Sequence, residues 1–193
     1  MSEIIPAILP HSTEELKKEL SRIPEEVPLV HIDVVDENIF FDPAEDFEVH
    51  LMIPDPDNSV DKWVKAGAKR LIVHKLTDKI KALRPKVKIG LAVELDQPLE
   101  EIFPLVHEAD YVHLMSIEEI GAQGHAFEPK IFDKIKQLND KFPELVISVD
   151  GGVNLENADD LLAMGVDRLV VGSAIFNAKD PLEAYINFLK VLN

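Results

Sequence analysis

Eight short apolar runs, each followed by a helical or turn-rich stretch, constrain this chain more than any other feature. They fall at residues 4–9, 30–35, 47–53, 70–74, 87–93, 110–115, 145–149 and 168–171. Helix-like segments separate most of them. Ser12-Thr-Glu-Glu15 reads as a capping box opening a helix to about residue 21, and Asn58 as the cap of a helix ending at Gly67. Further helices are expected near 78–83, over 98–108 and 129–141, from Asn154 to residue 164, and from Pro181 onward. Strict alternation of strand and helix selects an α/β fold with a parallel sheet, and eight repeats select a (β/α)8 TIM barrel. No Pro/Gly/Ser-rich linker or charge shift divides the chain, so residues 1–193 read as one barrel domain. Residues 36–46, between strands two and three, carry no helical period, so the helix there is expected to be missing or reduced to a turn.

Four side chains at strand ends carry the chemistry. His31 and Asp33 are two residues apart on strand two and share a face; His50 lies on strand three and Asp150 at the end of strand seven. Active sites of such barrels lie at the C-terminal strand ends. One histidine there would pass for a hydrogen-bonded core residue. Two imidazoles and two carboxylates together match a divalent-metal site for Zn, Fe(II), Mn or Co, with carboxylates that can also move protons. His11, His107 and His113 read as surface or structural residues, and His74 as a candidate pocket residue at the end of strand four.

Gly151-Gly152 and Gly172-Ser173 follow strands seven and eight, where barrels bind phosphate through loop N–H groups and a short extra helix. Such a trap matters because the chain carries a formal charge of −16. That charge disfavours nucleic acid and anionic membranes as partners. No apolar run reaches the roughly 20 residues of a membrane span. The lack of cysteine and of a secretory leader fits a cytoplasmic protein.

The segments His31-Ile-Asp33-Val-Val-Asp36, His50-Leu-Met52, Val149-Asp-Gly-Gly-Val-Asn154 and Gly172-Ser-Ala-Ile-Phe176 resemble, in order, the motifs of ribulose-phosphate 3-epimerase. The resemblance implies an isomerase of pentose-phosphate carbohydrate metabolism that takes a small phosphorylated sugar. It gives His31, Asp33, His50 and Asp150 the metal, and makes Asp33 and Asp150 the acid–base pair. It also sets Met52 and Met115 as an apolar floor, although ordinary core packing is the alternative for both. Three segments depart from the family pattern. Ala7 stands where the family usually has a serine, Val35-Asp36-Glu37 replaces Met-Asp-Gly, and residues 118–125 replace a glycine-rich lid. Gly121 and Gly124 therefore correspond only loosely to the lid's phosphate contacts.

Two other readings stand beside C3 epimerisation of D-ribulose 5-phosphate. One is a related enzyme acting on another sugar phosphate; related decarboxylases carry Asp-x-Lys on strand three, where this chain has His50-Leu51-Met52. The other is a non-catalytic sugar-phosphate-binding barrel, against which the two carboxylates argue. A missing outer helix would expose apolar surface for a second copy to cover, so a homo-oligomer is a further expectation.

Overall fold

A computed structural model describes residues 2–121 and 124–192. Its eight strands are all parallel and close on themselves in chain order, β8 pairing with β1. The strands are β1 (Glu3–Ile8), β2 (Val30–Val34), β3 (Phe47–Leu51), β4 (Arg70–Val73), β5 (Lys88–Val93), β6 (Tyr111–Met115), β7 (Ile147–Asp150) and β8 (Arg168–Val171). Around them lie α1 (Thr13–Leu20), α2 (Val60–Lys65), α3 (Asp78–Lys81), α4 (Leu99–Ile102), α5 (Ile131–Lys141), α6 (Ala158–Ala163), α7 (Ser173–Phe176) and α8 (Pro181–Val191). None of the described helices is long and apolar enough to cross a membrane.

The (β/α)8 architecture is as the alternation predicts, with local corrections that have local causes. Ser12 does cap α1, its Oγ accepting from Glu15 N, while Glu15 Oε2 accepts from His11 N. Asn58 caps nothing: it ends a 3₁₀ turn (Pro56–Asn58) and donates to Asp55, and α2 starts after it. The helix expected over 98–108 is broken into α4 and a 3₁₀ turn at Val106–Glu108. Pro104 between them has no N–H to donate and its ring crowds the preceding turn. The Asn154 side chain accepts from the N–H groups of Glu156 and Asn157, a local turn that delays α6 until Ala158.

Between β2 and β3 there is no helix. The apolar surface this leaves is covered from within the chain. Ile39 is buried, and Phe40 and Phe41 pack on the cluster around β2, β3 and β4. The Phe40 ring meets Trp63 of α2 edge-on at 5.0 Å, and Lys62 and Lys17 lie over the Phe40 and Phe41 rings. The large apolar residues exposed among those described are Leu155 and Ile186, both remote from this gap in sequence. The missing helix therefore supplies no argument for a partner subunit.

Strand alternation divides the core. Outward positions such as Ile32, Val49, Leu71, Ile89, Val112, Val149 and Leu169 form the two large apolar clusters under the helices. Inward positions are unusually polar for a barrel, whose interior is ordinarily branched aliphatic. They include Glu3, His31, Glu48, Arg70, Tyr111, His113, Ser148 and Arg168, leaving only small apolar groups such as Ile5, Ala7 and Val170 inside. The functional groups therefore rest on a charged foundation.

Candidate active site

Register brings the polar side chains together. Asp33 of β2 is level with His50 of β3, and on the other side of the barrel Met115 of β6 is level with Asp150 of β7. His31 Nε2 lies 3.2 Å from Asp33 Oδ1 and 4.0 Å from Asp150 Oδ2, so both carboxylates flank one imidazole nitrogen. His50 Nδ1 is 3.1 Å from the same Asp33 oxygen.

Two residues that sequence reasoning left aside join this group. His113 of β6 is fully buried; it is not a surface residue. Its ring stacks on that of His31 at 5.5 Å with an 11° tilt, and its Nε2 is 3.4 Å from Asp150 Oδ2, in a geometry that forms no hydrogen bond. Its place two residues before Met115 on the same strand face was the signal that could have revealed it. Glu48, two residues before His50, is the other: its Oε1 lies 2.7 Å from His31 Nδ1. Glu48 Oε2 accepts from Arg70, Arg70 pairs with Glu3, and Glu3 reaches Arg168. His74 stacks behind His50, the two Nε2 atoms 3.0 Å apart. His11 and His107 are exposed, as expected.

These contacts set the ionisation. Burial works against the Asp33 carboxylate, but His31 and His50 outweigh it and hold Asp33 well below the usual carboxylate range. Burial likewise opposes charge on His31, yet Asp33 and Glu48 raise its pKa well above an ordinary histidine's. Glu48 is itself desolvated, but its bonds to His31 and the charge of Arg70 bring it down to about 2. Desolvation, with the charges of His50 and His113, lowers His74 to about 3. Burial also lowers His113, against the attraction of Asp150.

Above this layer opens a cleft of ≈ 530 Å³ at the C-terminal strand ends. Asp33 and Asp150 reach its floor, Met52 and Met115 line it, and Ala7 puts a methyl group into it. Gly151, Gly152, Gly172 and Ser173 form one wall, with Gly121 and Gly124 also lining the cleft. His31 and His50 are the predicted site residues that do not line it; they are fully buried. His125, which sequence reasoning passed over, does line it. Gly152 is required where it stands: its φ is +64°, and a Cβ there would come within 2.5 Å of Phe127 N. The backbone is thus bare on that wall.

The donors suit a metal. His31, His50, His113 and Asp150 each offer an atom, and the four atoms lie within 4.8 Å of one another. Imidazole and carboxylate together are the ligands of divalent transition ions. The buried, unpartnered Nε2 of His113 is a further sign of fit.

A closed parallel barrel with paired acids and clustered imidazoles at its C-terminal mouth defines a TIM-barrel enzyme of the acid–base kind. A family model described as the Ribulose-phosphate 3 epimerase family matches residues 3–176. The chain belongs to that family, and its class is isomerase. Ribulose-phosphate 3-epimerase of Bacillus subtilis (strain 168) is 30% identical over 210 residues, covering 95% of this chain and 96% of its own. The enzyme of the same name from Schizosaccharomyces pombe is 29% identical, covering 94% and 90%. Among solved structures, KGPDC from Streptococcus mutans superposes with a TM-score of 0.76 at 15% identity, covering 100% of this chain and 97% of that one. 3-Hexulose-6-phosphate synthase from Salmonella typhimurium gives 0.72 at 19%, covering 100% and 98%. At these identities the structural likenesses speak to the fold alone.

Proposed function

We propose that this protein epimerises C3 of a phosphorylated keto sugar, interconverting D-ribulose 5-phosphate and D-xylulose 5-phosphate. The observation that carries the reading is the position of Asp33 and Asp150 on either side of His31 Nε2, at the floor of the cleft. Inversion at a carbon bearing an acidic hydrogen needs one group to take the proton from one face and another to return it on the opposite face. The C2 ketone makes the C3 hydrogen of such a sugar acidic. Asp33, ionised at neutral pH, is the base toward ribulose 5-phosphate, and Asp150 the acid; the roles exchange in the reverse direction. Met52 and Met115 keep water from the planar intermediate.

His31, Asp33, His50 and Asp150 would hold a divalent ion, one of Zn, Fe(II), Mn or Co. What such an ion supplies when bound is neutralisation of the negative charge that the enediolate oxygens acquire. Among the described residues the lining of the cleft includes neither lysine nor arginine, so the phosphate is held by backbone at Gly151, Gly152, Gly172 and Ser173, with Gly121 and Gly124 near it. Supporting this ligand class, KGPDC of the same fold has been solved with ribose 5-phosphate bound.

The test is proton NMR of D-ribulose 5-phosphate in D₂O, with stripped protein and with protein given each of the four ions. The expected result is metal-dependent loss of the C3–H signal with growth of xylulose 5-phosphate. Folded, metal-loaded protein that exchanges nothing would overturn the reading.

A further inference from the structure

We propose that His113 is a third imidazole ligand of the metal centre, beside His31 and His50. The inference rests on the metal site just described and adds a residue to it. His113 occupies an inward position of β6, where a barrel ordinarily places a branched aliphatic side chain. An imidazole there brings two polar atoms into a closed interior. One is satisfied: Nδ1 lies 3.2 Å from Ser148 Oγ, its register partner on β7. The other, Nε2, is buried without a hydrogen-bond partner among the described residues. A merely structural histidine has no reason to leave it so.

His31 is built the same way. Its Nδ1 is held by Glu48, and its Nε2 is turned toward the carboxylates. An outer partner on one ring nitrogen that fixes the other toward the centre is the usual arrangement of a metal-binding histidine. The two rings lie almost parallel, and His50 stands edge-on to both, 5.8 Å from His31 and 5.0 Å from His113. Two ligands each about 2.1 Å from one ion are at most roughly 4.2 Å apart. The four donors, already within 4.8 Å, need side-chain shifts of well under about 1 Å to meet that limit.

A third nitrogen changes which ions the site prefers. Imidazole suits Zn, Fe and other later transition ions, whereas carboxylate and water suit Mn and Mg. The centre should therefore discriminate strongly for Co(II) and Zn(II) over Mn(II), and His113 should carry much of that discrimination.

Two readouts independent of turnover test this. X-ray absorption of Zn(II)-loaded wild-type protein counts imidazoles directly; three are expected. Co(II) affinity, measured by competition with a chromophoric chelator, is then compared in wild type, His113→Leu and His113→Gln. Both variants should bind Co(II) at least about 10-fold more weakly, with an altered visible band, while Mn(II) affinity changes less. Two imidazoles in the wild-type spectrum, or folded variants with unchanged Co(II) affinity and band, would overturn the role of His113 and leave the metal site standing. Wild-type protein that binds neither ion would overturn the metal site as well. If neither variant folds, the imidazole count on the wild type decides alone.

Discussion

Glu48 Oε1 lies 2.7 Å from His31 Nδ1, with both side chains shut away from solvent. This pair joins the floor of the cleft to the charged base of the barrel, because the other Glu48 oxygen is held by Arg70 at 3.0 Å. It fixes the orientation of the His31 ring and directs Nε2 upward to the two aspartates. The chemistry and the stability of the barrel are thus tied through one carboxylate.

Glu48→Gln tests that tie. The amide keeps the size of the side chain but leaves Arg70 and His31 without their shared charge. Removing one partner of a buried pair typically costs about 3–5 kcal/mol, and an outer partner of a metal ligand is typically worth about 10–100-fold in metal affinity. Urea unfolding and Co(II) titration should both register the loss. A variant as stable as wild type, with the same affinity, would mean that Glu48 neither anchors His31 nor supports the core.

The two aspartates should separate under mutation. Asp33→Asn removes the base toward ribulose 5-phosphate, so C3–H exchange from that sugar should fall by about 10²–10⁴. Asp150→Asn removes the opposite group, and epimerisation should fall by a similar factor. In D₂O this second variant should still exchange the C3 hydrogen of ribulose 5-phosphate, because Asp33 can remove a proton and return it on the same face. Exchange lost equally in both variants would argue for one base serving both faces.

Much of this site is legible in the sequence because strands obey a period of two. His31 and Asp33 share a face by spacing alone, and Asp150 marks a strand end through the glycines that follow it. The same rule extends to Glu48 from His50 and to His113 from Met115, but polar residues at those depths are unexpected in a barrel interior. The pairing register that sets Glu48 level with Arg70 is a long-range property that no local window contains. Helix boundaries fail for a different reason. Asn58 and Asn154 are sound caps by residue type, yet each finds a nearer partner in a turn, at Asp55 and at the Glu156 and Asn157 amides. Phe40 and Phe41 show how a missing element is replaced: nothing in their sequence neighbourhood says that they will cover β2 and β3.

His74 should make the metal-free protein acid-labile. Its folded pKa is about 3, below the roughly 6.5 of an unfolded histidine. A depressed folded value means that the unfolded state takes up the proton first. The contribution is therefore complete above pH 6.5 and is lost as pH falls toward 3, by about 2 kcal/mol at pH 5. Glu48, at about 2 in the folded state, adds to the loss only below about pH 4.5. Stability measured by urea unfolding at pH 7 and pH 5 should fall in wild type by about that much more than in His74→Gln. Parallel curves for the two proteins would rule out His74 as the source.

Gly90 of β5 should resist even the smallest side chain. A Cβ there would come within 2.5 Å of the Tyr111 ring, and within 2.8 Å of its hydroxyl. The ring cannot easily retreat, since it is fully buried with the Arg168 guanidinium 4.5 Å from its centre, and Arg168 is itself tied to Glu3. Overpacking of this kind costs about 1–3 kcal/mol. Gly90→Ala is therefore expected to lower Tm by about 2–10 °C for a chain of this size. The second substitution Tyr111→Leu relieves the contact, so Gly90→Ala should cost less in a Tyr111→Leu background than alone. A double-mutant cycle by urea unfolding measures the difference, and a cost that is the same in both backgrounds would exclude the Tyr111 ring as its cause.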